Sequence, residues 1–203
     1  NPTIRKLRAI GQVLSPPHDT GRTVNGRPAL NLSFAFNYAF GGASVGGYHA
    51  VNLLIHVLAC LALFGVVRRT LRPSWFPEQL RARVDWLALL VALWWGLHPL
   101  HTSAVTYVVQ RAESLMGLCY LFTVYCVIRG AHAIRPLSWH ALAIIACGIG
   151  MATKESMVTA PLLIAWYDRT FLAGTWREVW QRRGKVYLGL AGTWLVLAAL
   201  VAG

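Results

Sequence analysis

Six apolar runs decide what this chain can fold into: Tyr48 to Val67, Trp86 to Leu100, Leu115 to Ile128, Leu137 to Ala152, Met157 to Tyr167, and Val186 to Gly203. Hydrophobic residues make up 56% of the sequence and charged residues only 13%, against about 25% charged in ordinary soluble domains. Such a chain is built for a bilayer. Backbone in hydrocarbon must satisfy its own hydrogen bonds, and no period-2 alternation announces barrel strands, which leaves helices. The predicted fold class is all-α, a polytopic membrane helical bundle of about six membrane helices. The runs at Trp86 to Leu100 and Met157 to Tyr167 fall short of the roughly 20 residues an untilted span needs. They must borrow flanking residues or stop part-way, and short, broken helices of this kind surround a cavity.

Ahead of the bundle, residues 1–47 are expected to form an outer-face loop, with residues 48–203 as the transmembrane part. Residues 28–40 predict an amphipathic helix at the membrane surface, because Leu30, Phe34 and Tyr38 recur at helical spacing. Gly41-Gly42 is expected to end that helix, and Gly46-Gly47 to turn the chain into its first span. Asn1 without a preceding Met or signal-like segment, and an apolar run reaching Gly203, lead us to expect a piece of a longer protein. Cys60, Cys119, Cys126 and Cys147 all fall in apolar runs without metal-like spacing, so neither a disulfide framework nor a metal site is expected.

A net charge of +12 raises the question of nucleic acid. The cations instead cluster in the short connections between apolar runs: Arg68, Arg69, Arg72, Arg81 and Arg83; Arg129 and Arg135; Arg169, Arg177, Arg182, Arg183 and Lys185. The positive-inside rule accounts for that pattern and puts these connections on the cytoplasmic side, with no nucleic acid involved. Trp86, Trp139, Trp166, Trp176 and Trp180 fall at the same helix ends, where interfacial tryptophans belong. The N-terminal segment is then outside, although Arg5, Lys6, Arg8, Arg22 and Arg27 run against the rule.

Polar residues inside or beside the apolar runs are the candidate functional groups. His49, Asn52 and His56 share one helix face through spacings of three and four. Interhelical hydrogen bonding and cavity lining both fit them. His98 and His101 stand where Pro99 breaks a helix, again fitting either hydrogen bonding at an interface or a cavity wall. Arg111 offers a fork suited to phosphate on the side where cations are scarce. Glu113 suits a helix N-terminus in its own right. Lys154 and Glu155 are adjacent and so expected to have separate partners, Lys154 being the second candidate for an anionic group. Structural ion pairing fits Arg111 and Lys154 equally well.

Taken in order, Gly26-Arg27-Pro28, Asn31-Leu32-Ser33-Phe34-Ala35-Phe36-Asn37-Tyr38, Gly47-Tyr48-His49 with Asn52 and His56, His98-Pro99-Leu100-His101-Thr102, Gln110-Arg111-Ala112-Glu113, Thr153-Lys154-Glu155 and Tyr167-Asp168 resemble a known family. It is the membrane domain of the transmembrane and tetratricopeptide-repeat O-mannosyltransferases and their bacterial relatives, and the likeness covers nearly the whole chain. The resemblance implies a GT-C type glycosyltransferase moving a sugar, by its name mannose, from a polyprenyl-phosphate carrier to a hydroxyl acceptor. Protein Ser/Thr is the acceptor implied, with a glycan as the alternative. It also implies an active site on the periplasmic or lumenal face of a bacterial inner membrane or an ER membrane, with repeats following the membrane domain.

Such chemistry needs a carboxylate to take the acceptor's proton and fixed cations to steady the leaving phosphate. Arg111 and Lys154 fit the second role, Arg27 joins them through its motif, and His98, His101, His49 and Asn52 could position sugar or phosphate. No cofactor follows from the sequence. The resemblance puts the base before Asn1; within the chain Asp19 is the candidate, with Glu113 and Glu155 as alternatives. Two other classes compete: a transporter or flippase of lipid-linked substrates, and a non-catalytic membrane anchor for a repeat domain. An enzyme requires His49, Arg111 and Lys154 to converge near one membrane face beneath residues 28–40. A transporter requires polar groups through the full depth, and an anchor requires no convergence.

Overall fold

In the computed structural model residues 26–73 and 75–202 are described, together with residues 11 and 14. Asp19 lies outside the described residues. Among those described, every regular element is helical: α1 (Pro28–Gly41), α2 (Val45–Thr70), α3 (Glu78–Arg81), α4 (Val84–Gly96), α5 (Thr102–Thr106), α6 (Arg111–His132), α7 (Pro136–Met151), α8 (Ala160–Asp168) and α9 (Trp176–Ala202). Among the described residues all six apolar runs are mainly helical, so the all-α expectation holds. Three stretches are long and apolar enough to cross a membrane: Val45–Thr70, Val108–His132 and Trp176–Ala202.

The shorter helices stop where they do for local reasons. α4 has 13 residues, about 20 Å against a hydrocarbon core of about 30 Å. It ends at Gly96 because Pro99 cannot continue it, and the chain breaks into a 3-10 turn at Pro99–His101, then α5, then another at Val108–Gln110. α8 has 9 residues and borrows on both sides, from a 3-10 turn at Glu155–Thr159 and a π turn at Arg169–Ala173. α9 kinks at Arg183, which departs from helical geometry.

The helices run up and down, so the molecule has two ends. α6 is central and packs on α2 and α7, while α4 leans on α2 and α9 on α7. A core of Cys119, Val127, Cys147, Met151, Met157, Ile164 and Leu190 fills the space between α6 and α9. The cysteines are free, and three of them are buried as small core residues. One end gathers the arginines: Arg68 and Arg72 pair with Asp85, Arg69 lies over Tyr125, Arg129 over Trp139 and Arg169 over Trp176. The other end is roofed by α1.

The residues 28–40 helix forms as expected, with Pro28 in its first turn and Gly42, at φ 59°, closing it by donating to the Tyr38 carbonyl at 2.8 Å. Its inward face differs from the expectation. Leu30 and Phe34 are buried, but so are Asn31 and Asn37, whereas Phe36 and Phe40 stand 47% and 91% exposed. Gly46-Gly47 is not the turn into the first span: α2 already begins at Val45, and residues 42–44 make the turn, since the positive φ falls at Gly42.

Candidate active site

Arg111 is the first residue of α6 and has no exposed surface. Its Nε donates to Asn52 Oδ1 at 2.7 Å, and Nη2 donates to Asn37 Oδ1 at 2.8 Å and to the Tyr48 carbonyl at 3.0 Å. Nη1 reaches the Ser33 carbonyl at 3.4 Å, and the guanidinium lies 4.5 Å from the Phe34 ring centre and 5.5 Å from that of Tyr48. Every one of these acceptors is neutral. A buried cation held only by dipoles and ring faces fixes α1, α2 and α6 to one another while keeping its full charge beneath the roof helix.

Asn52 extends this node, with its Nδ2 directed at the Val105 and Tyr107 carbonyls at 3.5 and 3.4 Å. His49 Nδ1 donates to the same Val105 carbonyl at 3.3 Å, and His56 Nε2 to the Gly96 carbonyl at 2.8 Å; a carbonyl only accepts, so each ring nitrogen carries its proton there. The polar face of α2 thus holds the broken segment between α4 and α6 in place. His98 Nδ1 accepts from the Leu100 N–H at 3.3 Å. The His101 ring lies 4.4 Å from Trp95, 5.8 Å from His56 and 6.4 Å from His98. Burial, and then the positive charge its two histidine neighbours can carry, push the His101 pKa down.

Beside the node stand two ion pairs bridging elements far apart in sequence. Lys154 Nζ pairs with Glu113 of α6. Arg27 Nη2, just ahead of α1, donates to both Glu155 carboxylate oxygens at 3.3 Å. The adjacent residues Lys154 and Glu155 therefore do take separate partners. The Ala29 N–H, donating to the Ala152 carbonyl at 3.1 Å, ties α1 to this same corner. Both carboxylates are open, Glu113 at 46% and Glu155 at 57% of their side-chain surface, while Arg27 and Lys154 are more covered. Its own backbone N–H, and then Arg27, hold the Glu155 carboxyl below the usual carboxylate range.

Arg27, His49, Asn52, Arg111, Glu113, Lys154 and Glu155 thus come together at one end, and His98 and His101 form a neighbouring aromatic cluster. Among the described residues no group of three or more His, Cys, Asp or Glu side chains is placed to hold a metal ion.

Over 160 residues the chain is 35% identical to the Drosophila melanogaster protein O-mannosyl-transferase Tmtc2, a match covering 76% of this chain and 16% of that relative. It is 32% identical over 146 residues to Homo sapiens protein O-mannosyl-transferase TMTC2, covering 70% and 16%. With Homo sapiens TMTC4 it shares 34% identity over 158 residues, covering 70% and 20%. The chain belongs to the TMTC family. It spans only about a fifth or less of the length of these curated TMTC relatives. No family model matches it, and no solved structure matches it.

Two features of this TMTC chain escape sequence reasoning. Asn37 completes the Arg111 node, and a signal existed: it falls three residues after Phe34 and seven after Leu30, on the apolar face of α1. At the arginine-rich end, Asp168 is fully buried, accepting from Arg183 Nε at 2.6 Å, from Arg183 Nη2, and from the Tyr187 hydroxyl at 2.6 Å. This triad spans the α9 kink, and its separation in sequence leaves no local signature.

Proposed function

We propose that this chain forms part of a multi-pass membrane glycosyltransferase that moves mannose from a polyprenyl-phosphate carrier to a protein Ser or Thr hydroxyl. The reaction takes place at the α1 end, on the non-cytoplasmic face of an ER or bacterial inner membrane. The convergence of Arg27, Arg111 and Lys154 beneath and beside α1 carries this reading. The names of the TMTC relatives support the reaction, and the arginines gathered at the opposite end support the orientation. An apolar core between the two polar ends favours an enzyme over a transporter.

The acceptor oxygen attacks the anomeric carbon as the bond from that carbon to the carrier phosphate breaks. The electron pair leaves on a phosphate oxygen, and the hydroxyl proton passes to a carboxylate. Lys154 and Arg27 are the cations for the leaving phosphate, since a phosphate can replace one half-exposed carboxylate on each. Arg111 adds fixed positive charge below them without contact, because it has no exposed surface and four of its five N–H groups are already engaged. His49 and Asn52 position the broken segment, and His98 and His101 line its open side. Glu155, held acidic first by its own backbone N–H, is a poor proton acceptor. Glu113, displaced from Lys154 by the phosphate, is the better base among the described residues, with Asp19 as the remaining in-chain candidate.

The test is transfer from polyprenyl-phosphate mannose to a Ser/Thr peptide by the full-length protein. The paired Arg27→Gln and Lys154→Gln substitutions should lower kcat about a hundredfold. Wild-type turnover in that folded variant would remove the site.

A further inference from the structure

Between α2 and α7, with α6 as its floor, an open apolar groove of about 720 Å³ faces outward from the bundle. Leu58, Leu61, Phe122, Tyr125, Ile145 and Ile149 line it, and it ends at Arg68 and Arg69. These two arginines differ. Arg68 is committed to Asp85 through Nε at 2.7 Å and Nη2 at 2.9 Å, with Arg72 sharing the same carboxylate. Arg69 lies over the Tyr125 ring at 5.6 Å and has no carboxylate partner among the described residues. Tyr125 itself is held against the helix by Gly65, where a Cβ would come within 2.6 Å of the ring. A glycine on α2 therefore lets the ring, and with it the arginine, sit at the groove's end.

The groove's dimensions select its occupant. From Leu58 to Arg69 along α2 is about 16 Å, half of a hydrocarbon core of about 30 Å. An apolar slot one leaflet deep, closing on an unneutralised guanidinium at the arginine-rich end, matches a phospholipid: acyl chain in the slot, phosphate at the interface. We infer that this groove is a binding site for one anionic phospholipid of the leaflet at the arginine-rich end, with Arg69 holding its headgroup phosphate. The site lies at the end opposite the proposed active site and does not depend on it.

The full-length protein in nanodiscs of equimolar phosphatidylglycerol and phosphatidylcholine, released and weighed by native mass spectrometry, reports which lipid stays bound. The expected result is retained phosphatidylglycerol in about fivefold excess over phosphatidylcholine, the preference one interfacial cation confers. Arg69→Gln should bring that ratio to about one, while Arg169→Gln, a charge removed elsewhere at the same end, should leave it unchanged. Ile145→Trp, filling the slot from an exposed wall position, should lose both lipids. The proposal is overturned if the wild type shows no preference, if Arg169→Gln matches Arg69→Gln, or if Ile145→Trp retains lipid as before.

Discussion

Replacing Arg111 by Ala removes a group that joins α1, α2 and α6 through side-chain hydrogen bonds, and its cost can be worked from the acceptors left behind. The Ser33 and Tyr48 carbonyls lie within helices and keep their helical N–H donors. Asn52 Oδ1 and Asn37 Oδ1 have no such reserve and are buried, so each costs about 1–3 kcal/mol when orphaned. Loss of the Phe34 ring contact adds about 2 kcal/mol in a dry site. Against this, removing a buried cation returns several kcal/mol of desolvation. The net expectation is a loss of about 3 kcal/mol, read by reversible unfolding in mixed micelles. A double-mutant cycle with Asn52→Leu isolates the pair: the double variant should be more stable than the sum of the singles by about 1–2 kcal/mol. Additivity within about 0.5 kcal/mol, or an Arg111→Ala protein as stable as wild type, would refute the node as drawn.

Lys154→Gln breaks a half-exposed pair with Glu113, so stability should change by less than about 1 kcal/mol while donor KM rises or kcat falls in a transfer assay. His101 has a lowered pKa, so the unfolded chain binds its proton first. Its contribution to stability is therefore complete above pH of about 6.5 and is lost as pH falls from there through the folded-state value. Unfolding midpoints between pH 7 and 5 should show that loss, and His101→Gln should flatten it. Asp168→Asn leaves Arg183 buried without its carboxylate and should cost about 3–5 kcal/mol with no direct contact to the α1 end; an unfolding curve matching wild type would count against the triad's structural role.

The helices were legible in the sequence because a bilayer leaves few alternatives: every apolar run became a helix, and the two short ones broke or borrowed as their lengths demanded. The ion pairs were half legible. That Lys154 and Glu155 needed separate partners followed from helix geometry, but Glu113 and Arg27 lie 41 and 128 residues away from them, and nothing local names such partners. Arg111 stood out as a misplaced cation, yet its burial among neutral acceptors depends on how α1 folds over the bundle, and Asn37 drew notice only as part of a motif. Gly46-Gly47 misled because two glycines favour a turn, whereas the turn was already made by Gly42 and its neighbours.

In the proposed reaction the carrier's phosphate sits at the α1 end, between Arg27 and Lys154. Photo-crosslinking tests it most directly, using a polyprenyl-phosphate sugar with the reactive group beside the phosphate and mapping the adducts on the full-length protein. Adducts are expected on residues 26–34, 111–116 and 152–157, lost when excess unlabelled carrier is present. Adducts confined to the arginine-rich end, around Arg68, Arg69 and Arg129, would contradict it.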